Sequence, residues 1–317
     1  AIFIVMESWL NDRANNRTRG QLLSIYMFIT LIGLSLGTLL LNFSSPEKYE
    51  PFILISLLLS SALIPILLTK RKAPKFKKLG FIDVKGLYKT SPLATISMFC
   101  TGIIHSALFS LGAVYAAAMN FTIFEISLLL FLITVSGGIF QWPIGYYSDK
   151  SDRRIIIIFC TFLASLFAFL AIFASGASLQ NMYLATSVGT DKIMFFIYVS
   201  FYAGMCIPLF TLNLAYVNDY ISKEKFVAAG GGMQVIFGIG AMTGPIICSL
   251  LMNKYGTNGF FVHLLFFHLI IGVFGLYRIT KRTYKDNPES TYTPLPRNIT
   301  PLGIELDPTT GADISNT

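Results

Sequence analysis

Apolar residues in this chain are gathered into long blocks separated by short polar connections. Eight blocks are long enough to span a hydrocarbon core of ~30 Å. They run roughly over 21–43, 51–69, 92–119, 124–147, 155–175, 194–217, 231–252 and 260–277. An open sheet in lipid cannot satisfy its backbone, so each block predicts a helix. The expected fold class is therefore an all-α polytopic membrane protein. The opening AIFIVM is shorter than a signal-peptide core, which needs about 7–15 apolar residues. It reads as the cut end of a further helix, so the sequence is expected to be a fragment lacking its N-terminus.

The connections carry the charge. If the connection 7–20 is placed on the cytoplasmic side and the blocks alternate, 21 of the 24 Lys and Arg residues fall on that side. Only Lys48, Lys192 and Lys254 fall opposite. Basic residues are retained on the cytoplasmic side of membrane proteins, so this asymmetry orients the helices. It also accounts for the net charge of +8, and no nucleic-acid partner need be invoked. The chain is 54% hydrophobic and 13% charged, where soluble domains run near ~25% charged.

The longest basic connection, 70–90, reads as a cytoplasmic linker between two helix bundles. It is either a plain positive-inside loop or a docking segment for anionic lipid headgroups, worth about 1 kcal/mol per basic residue near the surface. The segment 283–317 holds five prolines and no apolar block, and is expected to be a disordered cytoplasmic tail. Cys100, Cys160, Cys206 and Cys248 each lie inside an apolar block without CxxC spacing. They read as buried thiols rather than as a disulfide or metal site.

One unit occurs twice. NDRANNRTRG leads into a helix carrying Gly33 and Gly37, and NDYISKEKFV into one carrying Gly240 and Gly244. Asn11 and Asn218, Asp12 and Asp219, and both glycine pairs are offset by 207 residues. Repeats across a central linker are how many secondary transporters are built.

Between the fourth and fifth blocks stands QWPIGYYSDKSDRR. Gly145, Asp149, Lys150, Arg153 and Arg154 match five of the six defined positions of G-x-x-x-D-[RK]-x-G-R-[RK], with Asp152 where that pattern has Gly. The turn resembles the cytoplasmic-loop signature of the major facilitator superfamily. With the ESW and RG elements near the start, the chain is most similar to the YcaD-like bacterial permeases. The resemblance covers residues 1–282 and implies twelve helices in two six-helix bundles. The eight blocks would then be helices 5–12, with Glu7 closing helix 4 and about 100 residues absent, at ~20 per span plus loops. Residues 1–69 would end the N-terminal bundle and 91–282 would form the C-terminal bundle. A functional monomer is implied when the chain is full length.

Several residues invite a functional reading, each beside a plainer one. The charged turn is either a solvated loop or a gate, in which Asp149, Lys150, Arg153 and Arg154 clamp neighbouring helix ends and Gly145 permits close helix packing. Asp149 is expected within reach of Arg153 or of the segment 17–21, which includes Arg19 and Gly20. His105 lies 13 residues beyond Pro92, about 20 Å along a helix and so near mid-membrane. Ser97, Thr101 and His105 share one face at i, i+4, i+8. His105 is either a cavity residue contacting substrate or protons, or a neutral histidine bonded to a neighbouring helix.

Tyr198, Tyr202 and Asn213 lie on the sixth block, which Pro208 should kink; this face contacts substrate, or Tyr198 is an interfacial anchor. Tyr26 and Gln234 are weaker candidates. The glycine-rich 228–245 reads mainly as a helix-packing surface, with GGG as a possible hinge. His263 and His268 read as structural. No P-loop, HExxH, Ser/His/Asp grouping or paired carboxylates occur, so neither ATP-driven transport nor an enzyme is encoded, and no cofactor or metal is implied.

The reading is a secondary transporter of a small organic solute in the bacterial inner membrane, working by alternating access in contact with membrane lipid. The cavity histidine weakly favours proton coupling over uniport. The alternative is a transporter-like membrane sensor or assembly protein without flux.

Overall fold

Each apolar block folds as a helix, because only intrahelical bonds satisfy the backbone in lipid. In the computed structural model, residues 6–7, 9–10, 19–45, 47–68, 84–175, 188–281 and 291–308 are described. In chain order the helices are α1 (Arg19–Leu39), α2 (Glu50–Leu67), α3 (Val84–Thr90), α4 (Pro92–Ala118) and α5 (Ile123–Lys150). They continue as α6 (Arg153–Ala174), α7 (Val188–Cys206), α8 (Leu209–Asn218), α9 (Phe226–Tyr255), α10 (Asn258–Lys281) and the single turn α11 (Pro301–Ile304). Among the described residues, seven helical stretches are long and apolar enough to cross a membrane, α7 and α8 counting as one. The shorter apolar α2 is the eighth expected block.

Local chemistry sets the helix ends. Pro92 starts α4, where its missing N–H costs nothing. Thr122 and Glu125 form a capping box at the start of α5. Asp152 accepts from the Arg154 N–H at 3.0 Å and caps α6. Pro208 interrupts the sixth block, so that α7 ends at Cys206 and α8 resumes at Leu209. The interruption is two residues long, and Pro208 keeps right-handed helical backbone angles, φ −62° and ψ −17°.

Lipid tails are as apolar as leucine, so helices associate through close van der Waals fit rather than hydrophobic expulsion. The tightest fit joins α4 to α9. A Cβ on Gly240 would lie 2.1 Å from the Phe99 carbonyl oxygen, and one on Gly244 2.2 Å from that of Ile103. From the other side, a Cβ on Gly102 would lie 2.2 Å from the Phe237 oxygen. These three glycines let two backbones touch. Elsewhere α10 packs on α6 and α4, α7 on α5 and α6, and α1 on α5. The four cysteines are free and buried.

A Cβ on Gly33 or Gly37 would meet no described atom within 4 Å. The reason is angular. α1 meets α5 where Leu31 fills the space above Gly138. At 3.6 residues per turn the two glycines fall on the far side from Leu31.

The tail was expected to be disordered, yet residues 291–308 are packed, with Tyr292, Leu295, Ile299, Leu302, Ile304 and Leu306 all buried. The averaged composition is polar, but these apolar residues recur every two to four positions along it. Of the expected linker, 84–90 form α3, while 70–83 lie outside the described residues, as do Asn11 and Asp12 of the first repeat copy.

Candidate functional site

The turn between α5 and α6 is built around Arg153. Helix α5 runs on through Lys150, and α6 begins at Arg153. That spacing places Asp149 one turn before Arg153, so the two can pair across the break. Arg153 Nη2 donates to Asp149 Oδ1 at 2.7 Å. Its Nη1 donates to the Ala215 carbonyl at 3.1 Å and also to the Asp219 carboxylate. Its Nε donates to Ser148 Oγ at 3.3 Å. One planar guanidinium thus ties the ends of α5, α6 and α8, which its fixed fork of donors suits. The Arg153 and Asp219 side chains are about 5% and 6% exposed. A pair so deeply buried costs much desolvation, which is offset only when every donor finds a partner.

The other basic residues of the turn differ. Arg154 is buried and turns back on Asp152, with Nε at 2.9 and 3.0 Å from its two oxygens. Lys150 is exposed and sits 3.9 Å over the Tyr146 ring, outside the clamp. Gly145 does not serve helix packing as expected. A Cβ there would lie 2.3 Å from the Tyr292 ring, so the glycine makes room for the tail. Asp149 accepts a second bond, from the Tyr292 N–H at 2.7 Å. Gly20 has Pro308 at 3.6 Å from its Cβ position, and the Arg19 side chain lies outside the described residues.

Asp219, which the repeat marks only by its offset of 207 from Asp12, is the carboxylate that completes this cluster.

The polar stripe on α4 exists but faces the break between α7 and α8. Thr101 accepts from Asn213 Nδ2 at 3.3 Å and donates to the Ser97 carbonyl at 2.7 Å. His105 Nε2 lies 3.1 Å from the Cys206 carbonyl, the last of α7. A carbonyl only accepts, so Nε2 carries the proton. Thr101, His105 and Asn213 are all 0% exposed. The described helices enclose all three side chains. Tyr202 Oη pairs with His268 Nε2 at 3.2 Å, which puts it inside the bundle. Tyr198 is half-buried and lies against the Phe167 ring. His263 is buried, with its ring 4.9 Å from that of Phe267.

Glu7 gathers a second polar cluster. It accepts from Tyr26 Oη at 2.8 Å, from Thr300 N at 2.9 Å, from Gly303 N at 3.1 Å and from Thr300 Oγ1. Burial raises its carboxyl above the ordinary carboxylate value, and the Thr300 and Tyr26 hydrogen bonds oppose that. Gln234 Nε2 donates to the Arg297 carbonyl at 3.3 Å.

Residues 1–214 match the model of the Major Facilitator Superfamily. An uncharacterised MFS-type transporter of Yersinia enterocolitica is 27% identical over 263 residues, covering 82% of this chain and 64% of its own. The uncharacterised MFS-type transporter YcaD of Escherichia fergusonii is 24% identical over the same length, with the same coverage. An uncharacterised MFS-type transporter of Yersinia pestis is 24% identical over 293 residues, 92% of this chain and 70% of its own. The chain therefore spans about two thirds of the length of the curated relatives it matches. No solved structure gives a significant match. A signature turn knitted by its own arginine, on an all-helical frame whose first two thirds fit the family model, makes this chain a member of the Major Facilitator Superfamily.

Proposed function

We propose that the whole protein is a secondary transporter that moves a small organic solute across the bacterial inner membrane by alternating access. In this reading 1–69 close an N-terminal bundle, 91–282 form the C-terminal bundle, and the basic linker and the tail are cytoplasmic. The observation that carries it is the Arg153 node, which joins three helix ends through Asp149, Asp219 and the Ala215 carbonyl. A hub of that kind can hold a group of helices as one rigid unit while that unit rocks. Asp149 then gates by exchanging partners around a fixed arginine. His105, Thr101 and Asn213 bridge α4 to the α7–α8 break, the place where helix geometry is most easily changed. Proton coupling through His105 belongs to the same reading.

The test uses full-length protein in liposomes. A thermal-shift screen of metabolite pools supplies the solute, and uptake is then followed. Asp149→Asn should raise the labelling of a cysteine placed at Gly20 by a membrane-impermeant maleimide. His105→Ala should alter the pH profile of uptake. Unchanged labelling would leave the turn as a topology signal. An unchanged pH profile and affinity would remove His105 from the site.

A second reading, a transporter-like sensor without flux, is favoured by one observation: part of the chain's own tail occupies the groove beside the signature turn.

A further inference from the structure

Residues 291–308 make a re-entrant loop. Tyr292 enters beside Asp149, its ring lying on Gly145. The Leu295 carbonyl accepts from Thr211 Oγ1 of α8 at 3.4 Å, and that of Arg297 accepts from Gln234 of α9. Gln234 is eight residues into α9, about 12 Å along its axis. From there the Arg297 side chain reaches α4, with its guanidinium carbon 3.4 Å from the Phe109 ring centroid. The chain then returns. Thr300 and Gly303 bond Glu7, Ile304 lies over Gly230, and Pro308 ends beside Gly20 in the first turn of α1.

Three features distinguish this from a strand lying loosely on a surface. First, the fit is keyed. Gly145, Gly230 and Gly303 each stand where a Cβ would come within 2.6 Å of a side chain across the contact. Second, the segment has no sheet or long helix to satisfy its backbone. It borrows side chains from the walls instead: the Asp149 and Glu7 carboxylates, the Thr211 hydroxyl and the Gln234 amide. Irregular backbone at membrane depth is tolerated only where protein or a water-filled cavity surrounds it. Third, the loop touches both sides of the groove, with Glu7 and Gly20 on one wall and α4, α5, α8 and α9 on the other.

We infer that residues 291–308 are a docked plug that seals the groove between α1 and α9, so that a solute and the tail cannot occupy it together. This rests on the transport reading for its purpose but not for its detection. Tyr292 takes up one lone pair of the gate carboxylate Asp149, so docking also holds that residue in its Arg153-bound position. Undocking breaks the Glu7, Asp149, Thr211 and Gln234 contacts and exposes the buried apolar residues of the tail.

The test is reagent access in full-length protein in nanodiscs, where both faces are open. The four cysteines of this chain are free and buried, and any others in the full-length protein are first replaced by serine. Single cysteines are placed at Ile299 in the tail and at Thr211 in the groove, each about 1% exposed. Both should react with a polar maleimide at least tenfold more slowly than in SDS. Gly303→Leu, which drives a side chain into Glu7 and Ile299, should raise both rates tenfold or more. Deleting 291–317 should do the same for Thr211→Cys, and this second variant covers the case where Gly303→Leu is absorbed locally. Rates that are already fast, or that neither variant changes, overturn the plug. Uptake of a solute identified as above should rise at least threefold in Gly303→Leu, and an equal rate overturns its inhibitory role. Absence of flux in both forms, with groove access gained only on undocking, sinks the transport reading and keeps the plug.

Discussion

The two copies of the repeated unit have become different objects. Around α9 the motif is consumed by packing: Gly240 and Gly244 bring its backbone onto α4, and Asp219 at the unit's start holds Arg153. Around α1 the matching glycines, Gly33 and Gly37, meet no described neighbour, and Leu31 makes the contact instead. A small-xxx-small pair permits close approach; it does not create a partner. Which copy is used depends on what lies across from it.

The largest effect should come from the used copy's ion pair. Removing one partner of a buried pair costs about 3–5 kcal/mol. Arg153→Ala and Asp219→Asn should therefore strongly lower the thermal midpoint of the full-length protein, while Lys150→Gln should leave it unchanged. If Asp12 serves a matching turn in the other half, Asp12→Asn will fall as far as Asp219→Asn. A neutral Asp12→Asn would show that the copies differ here too.

Next in size are the glycines. Overpacking a tight contact costs about 1–3 kcal/mol, and at α9 the obstacle is a backbone carbonyl that cannot rotate away. Gly240→Ala and Gly244→Ala should destabilise by that amount. Gly33→Ala and Gly37→Ala should stay within about 0.5 kcal/mol. Equal losses at both pairs would mean that α1 has a partner beyond the described residues, and would restore the symmetry.

The polar stripe should show an effect no larger than that of the α9 glycines. Thr101→Val removes two neutral hydrogen bonds, one to the Ser97 carbonyl and one from Asn213, and leaves the Asn213 amide unpaired, at about 1–3 kcal/mol for a buried group. The loss should be smaller than for Arg153→Ala. Asn213→Leu in the same background should restore part of it, because removing both partners is cheaper than orphaning one.

The site was half legible. The spacing of Asp149 and Arg153 could be read, because one helical turn fixes it. The partner Asp219 could not, because it lies 66 residues away and only folding brings it there. The i, i+4, i+8 stripe on α4 could be read for the same local reason, but not the Cys206 carbonyl that it meets.

By itself the sequence determined the eight helices, their order and their family. Those follow from the length of apolar runs and from charges between them, and a lipid solvent admits few alternatives to either. Tertiary structure alone decided which glycines touch a backbone, which arginine becomes the hub and where the tail goes. Each of these depends on the shape of a surface contributed by distant residues. The tail shows the difference most plainly. Its average composition describes a chain that cannot bury enough to fold alone. Its individual residues find burial in a groove whose walls are already folded, and whose carboxylates, amide and hydroxyl meet its backbone one group at a time.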